Sequence, residues 1–110
     1  MSAGETRVGR VSFDRVNAAA LRHAEVVVRE LLPDGRREGS EWVARNPNRA
    51  DRTPGSFKVN LATGKWADFA TGDRGADLIS LAAYVVSIGQ RLACIYLAEA
   101  IAVDPFEGDR

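Results

Sequence analysis

Two tryptophans and six cations in the middle of the chain are the residues whose types and spacing suggest chemistry: Trp42, Arg45, Arg49, Arg52, Lys58, Lys65, Trp66 and Arg74. That chemistry is non-covalent. Ammonium and guanidinium groups neutralise phosphates, and aromatic faces stack on unpaired bases whatever the sequence. Segment 36–74 holds eight basic side chains, with Arg36 and Arg37 included, against five acidic ones. Residues 77–110 hold two basic against five acidic, so the middle carries +3 and the tail −3 within a chain of net charge +0. A polyanion-facing surface on the middle segment is one reading of that asymmetry. Scattered solubility charges are the other. A strand tryptophan packs into a core as readily as it stacks, and Trp66 is the more core-like of the two.

Covalent chemistry finds little support. Cys94 is the only cysteine and His23 the only histidine; they fall on different helical segments with no marked partner for nucleophilic catalysis. Each reads as structural, Cys94 as a small buried hydrophobe. One cysteine also excludes an intramolecular disulfide and any multi-cysteine metal cluster. The run Thr71-Gly-Asp-Arg-Gly-Ala-Asp77 lacks the Gly-Lys-Ser/Thr ending of a phosphate loop. Asp14, Asp51, Asp68, Asp73 and Asp77 show no EF-hand spacing. No cofactor and no enzyme activity are expected.

The elements that must position these residues follow from periodicity. Ser12 or Asp14 caps a helix running to about Leu32, with Val16, Ala19, Ala20, His23, Ala24, Val27 and Leu31 on one face, and Pro33-Asp34-Gly35 stops it. Arg36 to Gly39 reads as a polar turn. Glu41–Arg45, Ser56–Asn60 and Lys65–Phe69 alternate with period two and form three short antiparallel strands, the last two joined through Gly64. Phe57 and Val59 share a face, and Trp66 falls opposite Ala67 and Phe69. A helix from Asp77 to Ser87 is ended by Gly89, and another spans about Arg91 to Ala102. The fold class is α+β: about three strands with one N-terminal and two C-terminal helices. Residues 1–11 are expected to be loose, 12–104 to form one domain and 105–110 a tail. At 110 residues, 45% of them apolar and 27% charged, the chain suits one modest core. It has no apolar run of about 18 residues and no signal-like start, so a cytoplasmic protein without membrane contact is expected.

Segment 46–77 resembles the N-terminal zinc ribbon of bacterial and phage DNA primases and primase-helicases, in a form without the zinc ligands. The frame is Asn46-Pro47-Asn48-Arg49, Asp51, Pro54, Ser56-Phe57, Val59-Asn60, Trp66, Asp68-Phe69-Ala70-Thr71-Gly72, Gly75 and Asp77. The resemblance places the four ligand positions on Asn46, Arg49, Asp68 and Thr71, none of them a thiol or imidazole, so a tetrahedral nitrogen/sulfur site cannot form there. Gly55 adds one residue to the pattern, and the spacing from Gly72 to Asp77 is one longer. Arg49 and Asp68 are candidates for an ion pair in place of the metal. Such a pair is worth about 0–1 kcal/mol when exposed, against roughly 10 kcal/mol for a structural zinc. Burial of Phe57, Trp66 and Phe69 must therefore supply most of the compensation.

The resemblance implies an accessory module of a DNA replication or primase system, of phage or mobile-element type, that engages single-stranded DNA while synthesis occurs elsewhere. The competing expectation is a domain that docks a replication polymerase or helicase through its C-terminal helices and does not bind DNA.

Overall fold

The computed structural model describes residues 9–47 and 55–107. Its architecture is α+β, with a five-stranded antiparallel sheet and four helices.

Helix α1 (Phe13–Arg22) starts at Ser12, whose hydroxyl accepts from the Arg15 N–H at 3.2 Å. Helix α2 (Ala24–Leu31) follows after a break at His23, whose N–H bonds back to the Ala20 carbonyl. The expected single N-terminal helix is thus two. Neither glycine nor proline marks the break; the backbone leaves helical geometry at His23 (φ −121°, ψ 35°), while Ala20 and Ala24 on either side stay buried.

The strands β1 (Arg36–Glu38), β2 (Glu41–Ala44), β3 (Phe57–Asn60), β4 (Trp66–Asp68) and β5 (Arg74–Gly75) form a simple meander. Five strands replace the expected three because the segment read as a polar turn pairs at one edge and Arg74–Gly75 pairs at the other. Neither edge carries apolar alternation: β1 is exposed throughout and β5 has two residues. Gly64, at φ 83°, turns the chain between β3 and β4, and the Asn60 side-chain oxygen accepts from the Ala62 and Thr63 N–H groups at 2.8 and 3.1 Å. Side chains alternate across a strand, so Trp42, Ala44, Phe57, Val59, Trp66 and Asp68 face inward and are all buried. Phe57 stacks on Trp66 with ring centroids 5.6 Å apart.

Helix α3 (Leu78–Val86) opens with a reciprocal capping box between Asp77 and Ser80. It ends at Ser87 in the left-handed region (φ 63°), so Gly89, expected to stop it, instead opens α4 (Gln90–Ala100). Leu78, Ile79, Leu81 and Ala82 join Ala93, Cys94, Leu97 and Ala98 in the core. Among the described residues, the chain before α1 and the chain after α4 meet. Val11 bridges Phe106, Ser12 N–H donates to the Pro105 carbonyl at 2.7 Å, and Arg15 donates to the carbonyls of Asp104 and Phe106. Val11 is buried there, which gives the pairing its apolar content.

Candidate nucleic-acid interface

The sheet has two unlike faces. Across its outer face one row follows the strand register: Arg36 opposite Val43, Val43 opposite Lys58, Lys58 opposite Ala67, Ala67 opposite Arg74. Directly opposed residues on neighbouring strands share a face, with strands about 4.8 Å apart. Lys65, Phe69, Asn60 and Glu41 lie on the same side by alternation. Arg45 sits just past the end of β2 and is exposed.

The basic residues divide into two sets. On β1, Arg36 donates to Glu38 at 2.7 Å and Arg37 to Glu25 at 2.7 Å, so those charges are already matched. Arg45, Lys58, Lys65 and Arg74 have no ion-pair partner among the described residues. The Lys58 ammonium instead lies 5.8 Å from the centroid of the Phe69 ring. Phe69 is 71% exposed, the largest exposure among the exposed large hydrophobic side chains of the described residues. Its expected burial is therefore corrected: Asp68 takes the inward place beside Trp66, and alternation sends Phe69 out. The pattern at Lys65–Phe69 already put Phe69 on the side of Lys65, which is the signal that finds it.

Both tryptophans are corrected as stacking platforms. Trp42 is 3% exposed and its indole N–H donates to the Leu32 carbonyl at 2.9 Å. The Arg29 guanidinium covers the ring at 5.2 Å. Trp66 is 5% exposed, donates to Ser80 Oγ at 3.0 Å, and packs between Phe57 and Tyr84. Neither offers a face to a base. Arg49 and Arg52 lie outside the described residues, and so does the expected Arg49–Asp68 pair.

Of the four positions the resemblance assigned to ligands, Asn46 and Asp68 are joined by their side chains, and Arg49 lies outside the described residues. Asn46 and Asp68 are both buried, and Asn46 Nδ2 donates to Asp68 Oδ2 at 2.7 Å. The same amide donates to the Tyr84 hydroxyl at 2.7 Å, which donates to Asp73 Oδ2 at 2.8 Å. Asp68 Oδ1 accepts the Ala70 N–H at 2.8 Å and its carbonyl accepts that of Gly72 at 2.8 Å. Thr71 is exposed and its hydroxyl accepts the Asp73 N–H. The loop that carries Phe69 is thereby clamped from beneath. Burial raises the Tyr84 phenol above its ordinary range; the Asn46 bond opposes this, while the bond to Asp73 and the charges of Asp73 and Asp68 add to it. Among the described residues, no group of three or more His, Cys, Asp or Glu side chains is placed to hold a metal ion. No single helix among them is long and apolar enough to cross a membrane.

The chain matches no family model, and no curated protein is significantly similar to it.

Proposed function

We propose that this domain is a non-catalytic module that engages single-stranded DNA through the outer face of its sheet, as an accessory of a replication or primase system of phage or mobile-element type. The observation that carries the reading is the exposed Phe69 ring with the Lys58 ammonium 5.8 Å from its centroid, on a sheet face that also carries Lys65 and Arg74 with Arg45 just past β2, cations without acidic partners among the described residues. An aromatic face flanked by cations that track a backbone is the arrangement that binds unpaired strands without strong sequence preference. Duplex DNA keeps its bases stacked, so a lone exposed ring favours the single strand. The direct Asn46–Asp68 contact supports a zinc-ribbon-like scaffold that holds its two loops together without metal.

The test is a fluorescence titration of a labelled single strand, with the same sequence as a duplex for comparison. Phe69→Ala should weaken single-strand binding by about 1–3 kcal/mol, the range for loss of one stacked base. Because Phe69 is exposed, the variant should melt like the parent. Failure of any strand to bind at low salt overturns the reading.

A second reading has its own observation. Helices α2 and α4 border an apolar groove of about 230 Å³ lined by Val26, Leu31, Tyr96, Ala100 and Ile101, with Val26 64% exposed. Such a groove suits the docking of a replication polymerase or helicase. Loss of that docking on Val26→Asp, with DNA binding unchanged, would assign the groove a separate role.

A further inference from the structure

On the outer face of β2, β3 and β4 lies a shallow pocket of about 210 Å³, lined by Glu41, Lys58, Asn60, Lys65 and Phe69 beside the edge of Trp66. Four of those residues suit a polyanion or a base. Glu41 does not, since a carboxylate repels phosphates. Nor does the sheet need it there. Its cross-strand partner is Glu38, a like-charge pair of the kind that destabilises a sheet. Glu38 is held by Arg36, whereas Glu41 has no hydrogen-bond or ion-pair partner through its carboxylate among the described residues. Glu41 is thus an unpaired acceptor in a pocket whose lining also holds an exposed ring and two ammonium groups, open to a ligand that brings its own donors.

We infer that this pocket selects guanine within a single strand, with Glu41 reading its Watson–Crick edge while the base stacks on Phe69. The inference rests on the single-strand reading above. Guanine presents two adjacent donors, N1–H and the N2 amine, which match the two oxygens of one carboxylate, and beside them O6, which accepts from an ammonium or amide. Lys65, Lys58 and the Asn60 Nδ2 supply such donors at the same pocket. Adenine and cytosine each pair one amine with a ring-nitrogen lone pair that the carboxylate repels. Thymine sets its single N–H between two carbonyls. Only guanine satisfies both oxygens, and base edges are read in this way on unstacked strands.

The experiment uses the full chain and labelled oligothymidine of about 12 nucleotides, a length within the usual single-strand site size. Central positions carry guanine, adenine, cytosine or hypoxanthine, the last being guanine without its N2 amine. Guanine should bind about five- to tenfold more tightly than thymine, the lower end of discrimination by a bidentate contact, with hypoxanthine between them. In Glu41→Gln the guanine preference should fall to near unity while oligothymidine binding holds or improves, because a repelling charge is gone. Glu38→Gln removes the same charge outside the pocket and should keep the preference. Equal binding of all bases, or a guanine preference that survives in Glu41→Gln, overturns this inference and leaves the single-strand reading standing. Absence of binding by every strand overturns both.

Discussion

At the scale of single residues, the buried polar cluster beneath the Phe69 loop has the most to lose from small changes. Asn46 Nδ2 serves both Asp68 and Tyr84, so Asn46→Ala leaves a buried carboxylate oxygen and a hydroxyl each short of a donor. Unmade buried hydrogen bonds cost about 1–3 kcal/mol each. With two such bonds lost, we expect urea unfolding of this variant to show a loss of about 2–6 kcal/mol. Tyr84→Phe removes one member of the chain and should cost about 1 kcal/mol, the net value of a typical hydrogen bond. Tyr84 also makes the effect depend on pH. Burial first, then Asp73, raises its phenol above the ordinary value, so the unfolded chain ionises before the folded one. The folded state then binds more protons as pH climbs through the ordinary tyrosine range near 10, and stability falls there. Tyr84→Phe lacks that component, so its alkaline decline should be shallower than the parent's. An equal decline in both proteins would remove Tyr84 as a cause.

At the scale of elements, β5 is held close to α3 by the absence of a side chain. A Cβ added at Gly75 would overlap the Trp66 indole nitrogen and Ser80 Oγ, the two atoms that hydrogen-bond each other. Gly75→Ala should therefore cost about 1–3 kcal/mol through overpacking, seen as a lower melting temperature. Gly72 has open space around it, and its positive φ of 88° is the only obstacle to substitution there. Replacing Gly72 by Asn, which tolerates the left-handed region, should be nearly neutral. The same elements show what the sequence made legible. Strand β3 announces itself because Phe57 and Val59 alternate with Ser56, Lys58 and Asn60, and β2 and β4 follow more weakly from Trp42 after Glu41 and Trp66 after Lys65. The helical segments are legible from their apolar spacing. Strand β1 is silent because Arg36-Arg37-Glu38 buries nothing, and β5 because two residues carry no period. The break at His23 lacks the glycine or proline by which breaks are read. Of the candidate site, the lysines of β3 and β4 follow from period two. The Asn46–Asp68 contact spans 22 residues, and no local pattern encodes it. Hydrophobicity alone ranks Trp42 and Phe69 alike, while the neighbouring strand and helix decide that Trp42 is covered and Phe69 is not.

At the scale of the whole molecule, packing joins the sheet to the helices. The aromatic set Phe57, Trp66 and Tyr84 joins sheet to α3, and the core continues through α3 and α4 to the bridge of Val11 with Phe106. Chelator treatment should leave the thermal melt unchanged, since proteins that fold on zinc lose their fold with it. A clear drop in melting temperature would show that a metal contributes after all. The uneven charge, +3 over residues 36–74 and −3 over 77–110, has its own measurable consequence. With net charge zero, long-range attraction to DNA is weak, so the proposed binding rests on the local set on the sheet. Each phosphate neutralised on a single strand contributes about 0.7 to the slope of log affinity against log salt. Replacing both Lys58 and Lys65 by Ala should lower that slope by about 1.4. Phe69→Ala should weaken binding while leaving the slope nearly unchanged, because stacking releases no counterions. If instead the two lysines leave the slope untouched, phosphates are not held on this face, and the contact surface must be sought elsewhere on the molecule.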